Sequence, residues 1–163
     1  MTSPVPSVAP PYPEQMDRMS VLLLSGPNLN LLGEREPEHY GTATLDDHVK
    51  AAIERADQLG LDVVHHQSNH EGALVDLVQE ARGRHDAIVI NAAAFTHSSW
   101  ALHDALAAFD GPIVELHLSN PDSREAWRRT SVISPVATGV ISGFRGAGYR
   151  LAVDAVAGLL STP

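Results

Sequence analysis

In the stretch PIVELHLSN, residues 112–120, an otherwise apolar run is broken twice, by Glu115 and His117. Side chains two apart on a strand share a face, so the carboxylate can lie beside the imidazole. A neighbouring carboxylate orients a histidine ring and favours its charged form, which makes His117 a usable acid near neutral pH. The alternative is a buried pair that satisfies itself for structure alone, although an ionisable pair inside a sheet strand is costly. Ser119 and Asn120 follow at once, where backbone amides at the start of a short helix can hold an anion. Arg124 and Arg128 are four apart, share one helix face and add positive charge there. Arg129 reads as a solvated position.

Asn91 closes the run DAIVIN (86–91), so its amide reaches the same crevice. The small residues of AAAFTHSSW let a ligand approach the backbone before His97, which reads equally as a ligand contact or a helix-start residue. Asp104 lies seven positions on, two helical turns along and about 10 Å away. His97 and Asp104 therefore do not serve one site within one subunit. If both function, Asp104 acts in a neighbour's site, which predicts an oligomer. In GPNLNLLGEREPEHYG (26–41), Asn28 sits where an apolar strand has just ended. Arg35 and Tyr40 lie further along a connection of about 16 residues, long for a βα loop and typical of a lid. Tyr40 with Arg35 in reach suggests an activated phenol. Against a reference pKa of about 10, an ionised phenol near pH 7 needs about 4 kcal/mol of differential stabilisation. One or two close guanidinium groups in a closed site supply that order of magnitude. The alternative is a tyrosine whose ring packs on the fold.

These residues need elements to position them. VLLLS (21–25), LDVVHH (61–66), DAIVIN (86–91), PIVELHL (112–118) and VATGVI (136–141) are apolar almost throughout. Strands covered on both faces of a parallel sheet read this way. Between them, Thr44 with Asp47 forms a capping box for a helix whose Leu45, Val49, Ala52, Ile53 and Ala56 make one face and which Gly60 stops. Asn69 can cap the next, with Leu74, Leu77, Val78 and Ala81 at helical spacing before Gly83. The third runs from about Ser98 to Phe109, with Leu102, Ala105, Leu106 and Phe109 inward. Asn120 and Pro121 start a short fourth helix through Arg129, and a last helix spans about 146–160. Right-handed crossovers then give an α/β, flavodoxin-like three-layer sandwich with a five-stranded parallel sheet in the order 2-1-3-4-5. Ligands in such sheets bind outside the carboxyl ends of the strands.

The chain has 163 residues, 44% of them hydrophobic, enough for one core over residues 21–163. Residues 1–20, MTSPVPSVAPPYPEQMDRMS, read as a disordered Pro-rich tail, with Met19 as an alternative start. They hold no apolar stretch of signal-peptide length, so no membrane insertion is expected and a cytoplasmic location is the default. A net charge of -9 with only 11 Lys plus Arg argues against nucleic acid. The absence of cysteine excludes disulfides and thiolate chemistry. No phosphate-binding loop follows the first strand, so no nucleotide cofactor is expected, and GFRGAG (143–148) reads as a turn. Ser25 and Asn91 stand where a phospho-receiver needs aspartates. His65 and His66 face opposite ways and His97 and His103 are not one turn apart, so no metal site is expected. Lys50, the only lysine, adjoins a core-facing position, which argues against imine chemistry. A binding or scaffold module that keeps the crevice without chemistry is the competing reading; the intact acid and base candidates argue against it.

GPNLNLLGEREPEHYG, QSNHEG (67–72), NAAAFTHSS (91–99), ELHLSN (115–120) and ATGVISG (137–143) resemble, in order and spacing, the type II 3-dehydroquinate dehydratases of the shikimate pathway. The resemblance covers residues 21 to about 160. It implies loss of water from 3-dehydroquinate to give 3-dehydroshikimate through an enolate, without metal, cofactor or imine. It further implies Tyr40 as the base next to the ketone and Arg35 as the lid cation that keeps it ionised. Asn28 would hold the water on the enolate, and His117, positioned by Glu115, would protonate the departing hydroxyl. Asn91, His97, Ser119, the Leu118 amide and Arg128 match contacts to substrate hydroxyls and carboxylate. Arg124 matches a second lid-associated arginine, and Asp104 the residue lent by an adjacent subunit in a homododecamer built from trimers. Ala93 and Ala94 depart from the pattern, standing where glycines are common, and His103 falls where the family varies.

Overall fold

The computed structural model describes residues 17–34, 38 and 41–162. Five strands, β1 (Met19–Ser25), β2 (Leu61–Gln67), β3 (Ala87–Asn91), β4 (Ile113–His117) and β5 (Gly139–Ser142), form one sheet in the order β2-β1-β3-β4-β5. Every pairing is parallel. Helices α1 (Leu45–Gln58), α2 (Glu71–Ala81), α3 (Trp100–Ala107) and α4 (Ala147–Leu160) cover it. The architecture and strand order are those read from the sequence.

Alternation along the strands builds the two core layers. Val21 and Leu23 of β1 join Val49 and Ala52 of α1 and Ala152, Val153 and Val156 of α4. Leu22 and Leu24 point the other way, onto Leu74 and Val78 of α2 and Leu102 and Leu106 of α3. Strand β3 is buried along its whole length. The two edge strands depart from the expected double cover: β2 alternates between covered and exposed positions, and Val140 of β5 is 50% exposed. The helices lie over the centre of the sheet, and an apolar run of this length does not distinguish an edge strand from a central one.

Local signals hold at some helix starts and are overridden at others. The Thr44 side chain accepts from the Asp47 amide at 3.2 Å while Asp47 accepts from the Thr44 amide at 2.9 Å, a complete capping box. Within α1, Ile53 is partly exposed. Asn69 does not cap α2: His70 occupies that position without a side-chain cap, and the Asn69 carboxamide is engaged by the loop after β1. The expected fourth helix is two short 3-10 turns, Pro121–Ser123 and Ala126–Arg129. Asn120 caps the first, accepting from the Asp122 amide at 3.1 Å. At Arg124 the backbone is extended, and its side chain, 3% exposed, turns inward to donate to Ser119 Oγ at 3.4 Å.

Strand β1 begins two residues earlier than its apolar run, and Arg18 just before it pairs with Asp57 and Asp62 at 3.1 Å each. The rest of the Pro-rich segment, residues 1–16, lies outside the described residues. Among the described residues no helix is long and apolar enough to cross a membrane.

Candidate active site

Ser25 and Asn91 lie in register at the carboxyl ends of β1 and β3, with His117 ending β4 beyond them. One cleft opens there. Asn28, Asn91, His97, His117, Leu118, Ser119, Arg124 and Arg128 all line it, together with Pro27, Leu29, Leu32, Ala93, Ala94 and Pro121. Glu115 sits behind His117, and Asp104, exposed on α3, is not part of this cleft. Arg35 and Tyr40 lie outside the described residues.

The pair on β4 stands at the wall of the cleft. His117 Nε2 lies 2.8 Å from Glu115 Oε1. A carboxylate oxygen only accepts, so Nε2 carries the hydrogen and Nδ1 is left for a ligand. Glu115 is fully buried. Ser131 Oγ donates to Oε1 at 2.7 Å, and Ser134 Oγ donates a shorter bond to Oε2. Burial pushes the Glu115 carboxyl up, but the bonds from His117, Ser134 and Ser131 and the proximity of His117 outweigh it and hold the group below the ordinary glutamate value. The carboxylate therefore stays charged behind the ring. Ser131 also accepts from the Ile133 and Ser134 amides, which folds its loop against Glu115. Neither serine was singled out from the sequence, because a serine in a polar loop carries no mark of a buried partner.

The rest of the cleft suits an anionic, hydroxylated ligand. His97 Nδ1 lies 2.7 Å from the Thr130 carbonyl, so it is the protonated nitrogen and Nε2 is the ring atom available to a ligand. Trp127 meets the His97 ring edge to face at 5.2 Å, and the Arg128 guanidinium lies 4.1 Å from the Trp127 ring centroid. Arg128 Nε also donates to Glu125 at 2.8 Å. The anion reading of the turn amides needs correction. Pro121 has no N–H, and the amides of Asp122, Ser123 and Arg124 are taken by Asn120 Oδ1, the Asn120 carbonyl and the Pro121 carbonyl. The charge that would hold an anion comes from Arg124 and Arg128.

Two cleft residues adopt left-handed backbone, Asn28 at φ 65 and Ala93 at φ 50. Asparagine tolerates this conformation; alanine does not do so readily. Ala93 is held there by its amide bond to Asn91 Oδ1 at 3.2 Å. Ala93→Gly is expected to raise stability by about 0.5–1 kcal/mol, the relief of left-handed strain less the extra freedom of glycine in the unfolded chain. A urea midpoint moved upward with an unchanged slope would bear this out; a lowered midpoint would contradict it.

A base is the remaining chemical requirement. Tyr149 is buried beside the strand ends, and burial pushes its phenol up to about 12, with Ser25 and Asn91 acting the other way. That direction is wrong for a base. Among the described residues no three His, Asp or Glu side chains converge to hold a metal ion.

The doubly wound α/β sandwich, with a histidine–carboxylate pair and two arginines at its strand ends, has the flavodoxin-like architecture. The family model "Dehydroquinase class II" matches residues 19–157. The chain is 56% identical over 139 residues to the 3-dehydroquinate dehydratase of Phenylobacterium zucineum, covering 85% of this chain and 96% of that one. It is 54% identical over 138 residues to the catabolic 3-dehydroquinase of Aspergillus clavatus, covering 85% and 92%. The crystal structure of the type II dehydroquinase from Butyrivibrio crossotus superposes with a TM-score of 0.83 at 42% identity, over 85% of this chain and 97% of that one. The chain belongs to the class II dehydroquinase family.

Proposed function

We propose that this cleft dehydrates 3-dehydroquinate to 3-dehydroshikimate, a step of the shikimate pathway, by an enolate-type elimination carried by side chains alone. The observation that carries the reading is the buried, charged Glu115 bound to His117 at the wall of an arginine-lined cleft. Tyr40, as its phenolate, removes the proton next to the ketone, and Arg35 keeps the phenol ionised. The electron pair moves onto the ketone oxygen, where a water held by Asn28 hydrogen-bonds the enolate. The pair then returns, the carbon–oxygen bond to the hydroxyl breaks, and His117 Nδ1 delivers the proton that lets the hydroxyl leave as water. Glu115 stabilises the imidazolium before that transfer. Asn91, His97, Ser119, the Leu118 amide and Arg128 bind the substrate's hydroxyls and carboxylate, and Arg124 is a second, lid-associated arginine.

The base role of Tyr40 is supported by chemistry as well as by its place in the motif. Among the described cleft residues only the rings of His97 and His117 carry a basic nitrogen, and both have other roles here, while the Tyr149 phenol is held protonated. The substrate's own ketone takes up the electron pair, so the proposed steps call for neither a metal nor an organic cofactor. Asp104, exposed on α3 and absent from the cleft of its own chain, serves a neighbour's site in a homododecamer. The domain, expected over residues 21–163, begins with β1 at Met19, and the enzyme works in the cytoplasm. Purified protein mixed with 3-dehydroquinate is expected to show the rising ultraviolet absorbance of a conjugated enone; no rise would overturn the proposal.

A further inference from the structure

The segment QSN, residues 67–69, runs from the last residue of β2 into the next loop and takes no part in the chemistry above, yet it grips the loop that carries Asn28. The Asn28 amide donates to Asn69 Oδ1 at 2.9 Å. Gln67 Nε2 donates to the same oxygen at 3.1 Å and to the Gly26 carbonyl at 3.2 Å. With both bonds converging on Oδ1, the orientation of the Asn69 carboxamide is fixed. The gripped residue has left-handed backbone: Asn28 holds φ 65 and ψ -1, and its side chain caps nothing in the 3-10 turn that follows. With the main chain in this left-handed twist, the Asn28 side chain lines the cleft. On its other side the loop is fastened to β3, where the Gly26 amide donates to the Asn91 carbonyl at 2.8 Å and a Cβ at position 26 would strike the Ala92 carbonyl. Asn69 itself does not line the cleft.

We infer that Asn69, steadied by Gln67, is a positioning residue that holds Asn28 in its left-handed conformation and so aims the Asn28 side chain at the reacting centre. The role of Asn28 in this inference rests on the proposed dehydration. The clamp predicts kinetic coupling between the two residues. Asn69→Ala is expected to lower kcat roughly tenfold or more, as displacement of an aligned group does, with KM within about twofold. Asn69→Asp keeps an acceptor oxygen in place and is expected to restore most of the rate. In an Asn28→Ala background, Asn69→Ala is expected to cost nothing further, because its effect runs through the missing side chain. Losses that multiply in the double variant, or a lowered melting temperature with kcat untouched, would overturn the coupling.

Hydrogen exchange of the Asn28 amide, followed by NMR on the same full-length proteins, reads the clamp without any turnover. Exchange is expected to quicken at least tenfold in Asn69→Ala and to slow again in Asn69→Asp. Unchanged exchange would overturn the clamp even in an active enzyme. Quickened exchange in a protein inert toward 3-dehydroquinate would uphold the clamp and strike the proposed reaction instead.

Discussion

Tyr40→Phe is expected to lower kcat by about 10²–10⁴-fold, the range that a positioned proton-transfer group contributes, while the far-ultraviolet spectrum and melting temperature stay close to those of the parent. The substitution removes one oxygen and keeps the ring, so loss of packing does not explain a loss of rate. It leaves the Glu115–His117 pair and the cleft arginines untouched, so substrate still binds and KM changes little. Arg35→Ala provides the companion observation. A guanidinium beside a phenol favours the phenolate, so its removal raises the pKa of the base. The acidic limb of the rate profile is then expected to move to higher pH, with activity partly recovered in alkaline buffer. Near-normal turnover in Tyr40→Phe would remove Tyr40 as the base.

Glu115→Gln is expected to cost a further large factor, on the order of 10²-fold or more in kcat, and to change the response of the fold to acid. His117 donates through Nε2 to a carboxylate that also receives Ser131 and Ser134. Three donors suit a carboxylate, which only accepts; a carboxamide must set its own NH2 against them. The ring then loses both its orientation and the charge that stabilises imidazolium. The sign of the pH effect follows from the lowered pKa of Glu115. A carboxyl whose folded pKa is depressed adds stability above the ordinary glutamate value of 4.5, and that stability is lost as pH falls through the lower folded value. Melting temperatures measured across the acid range are therefore expected to fall less steeply for Glu115→Gln than for the parent. Ser131→Ala, which removes one donor, is expected to start the parent's acid loss at a higher pH. A parallel pH dependence in parent and Glu115→Gln would show that Glu115 does not titrate below its unfolded value.

Much of this was legible in the sequence where one residue's environment dominates. The central strands announce themselves because burial on both faces leaves almost no polar position, and Glu115 and His117 stand out against that background at a spacing that puts them on one face. The Thr44 capping box is legible because its partners lie three residues apart. Asn69 was misread for the opposite reason. An asparagine before a helix fits a cap, but its oxygen is taken by the Asn28 amide, 41 positions away in sequence, and nothing local records that competition. Ser131 and Ser134 escaped notice because their partner lies on β4. The Asn120–Pro121 start was read correctly, while the helix expected to follow is broken where Arg124 turns in toward Ser119. Arg35 and Tyr40 owe their roles to the motif and its chemistry, since both lie outside the described residues.

The central claim is that side chains of this chain carry both proton transfers unaided. Turnover of 3-dehydroquinate by purified protein held in excess chelator tests it most directly. The enone absorbance is expected to rise at the same rate with and without chelator. A rate lost to the chelator and restored by adding back a divalent ion would contradict the claim.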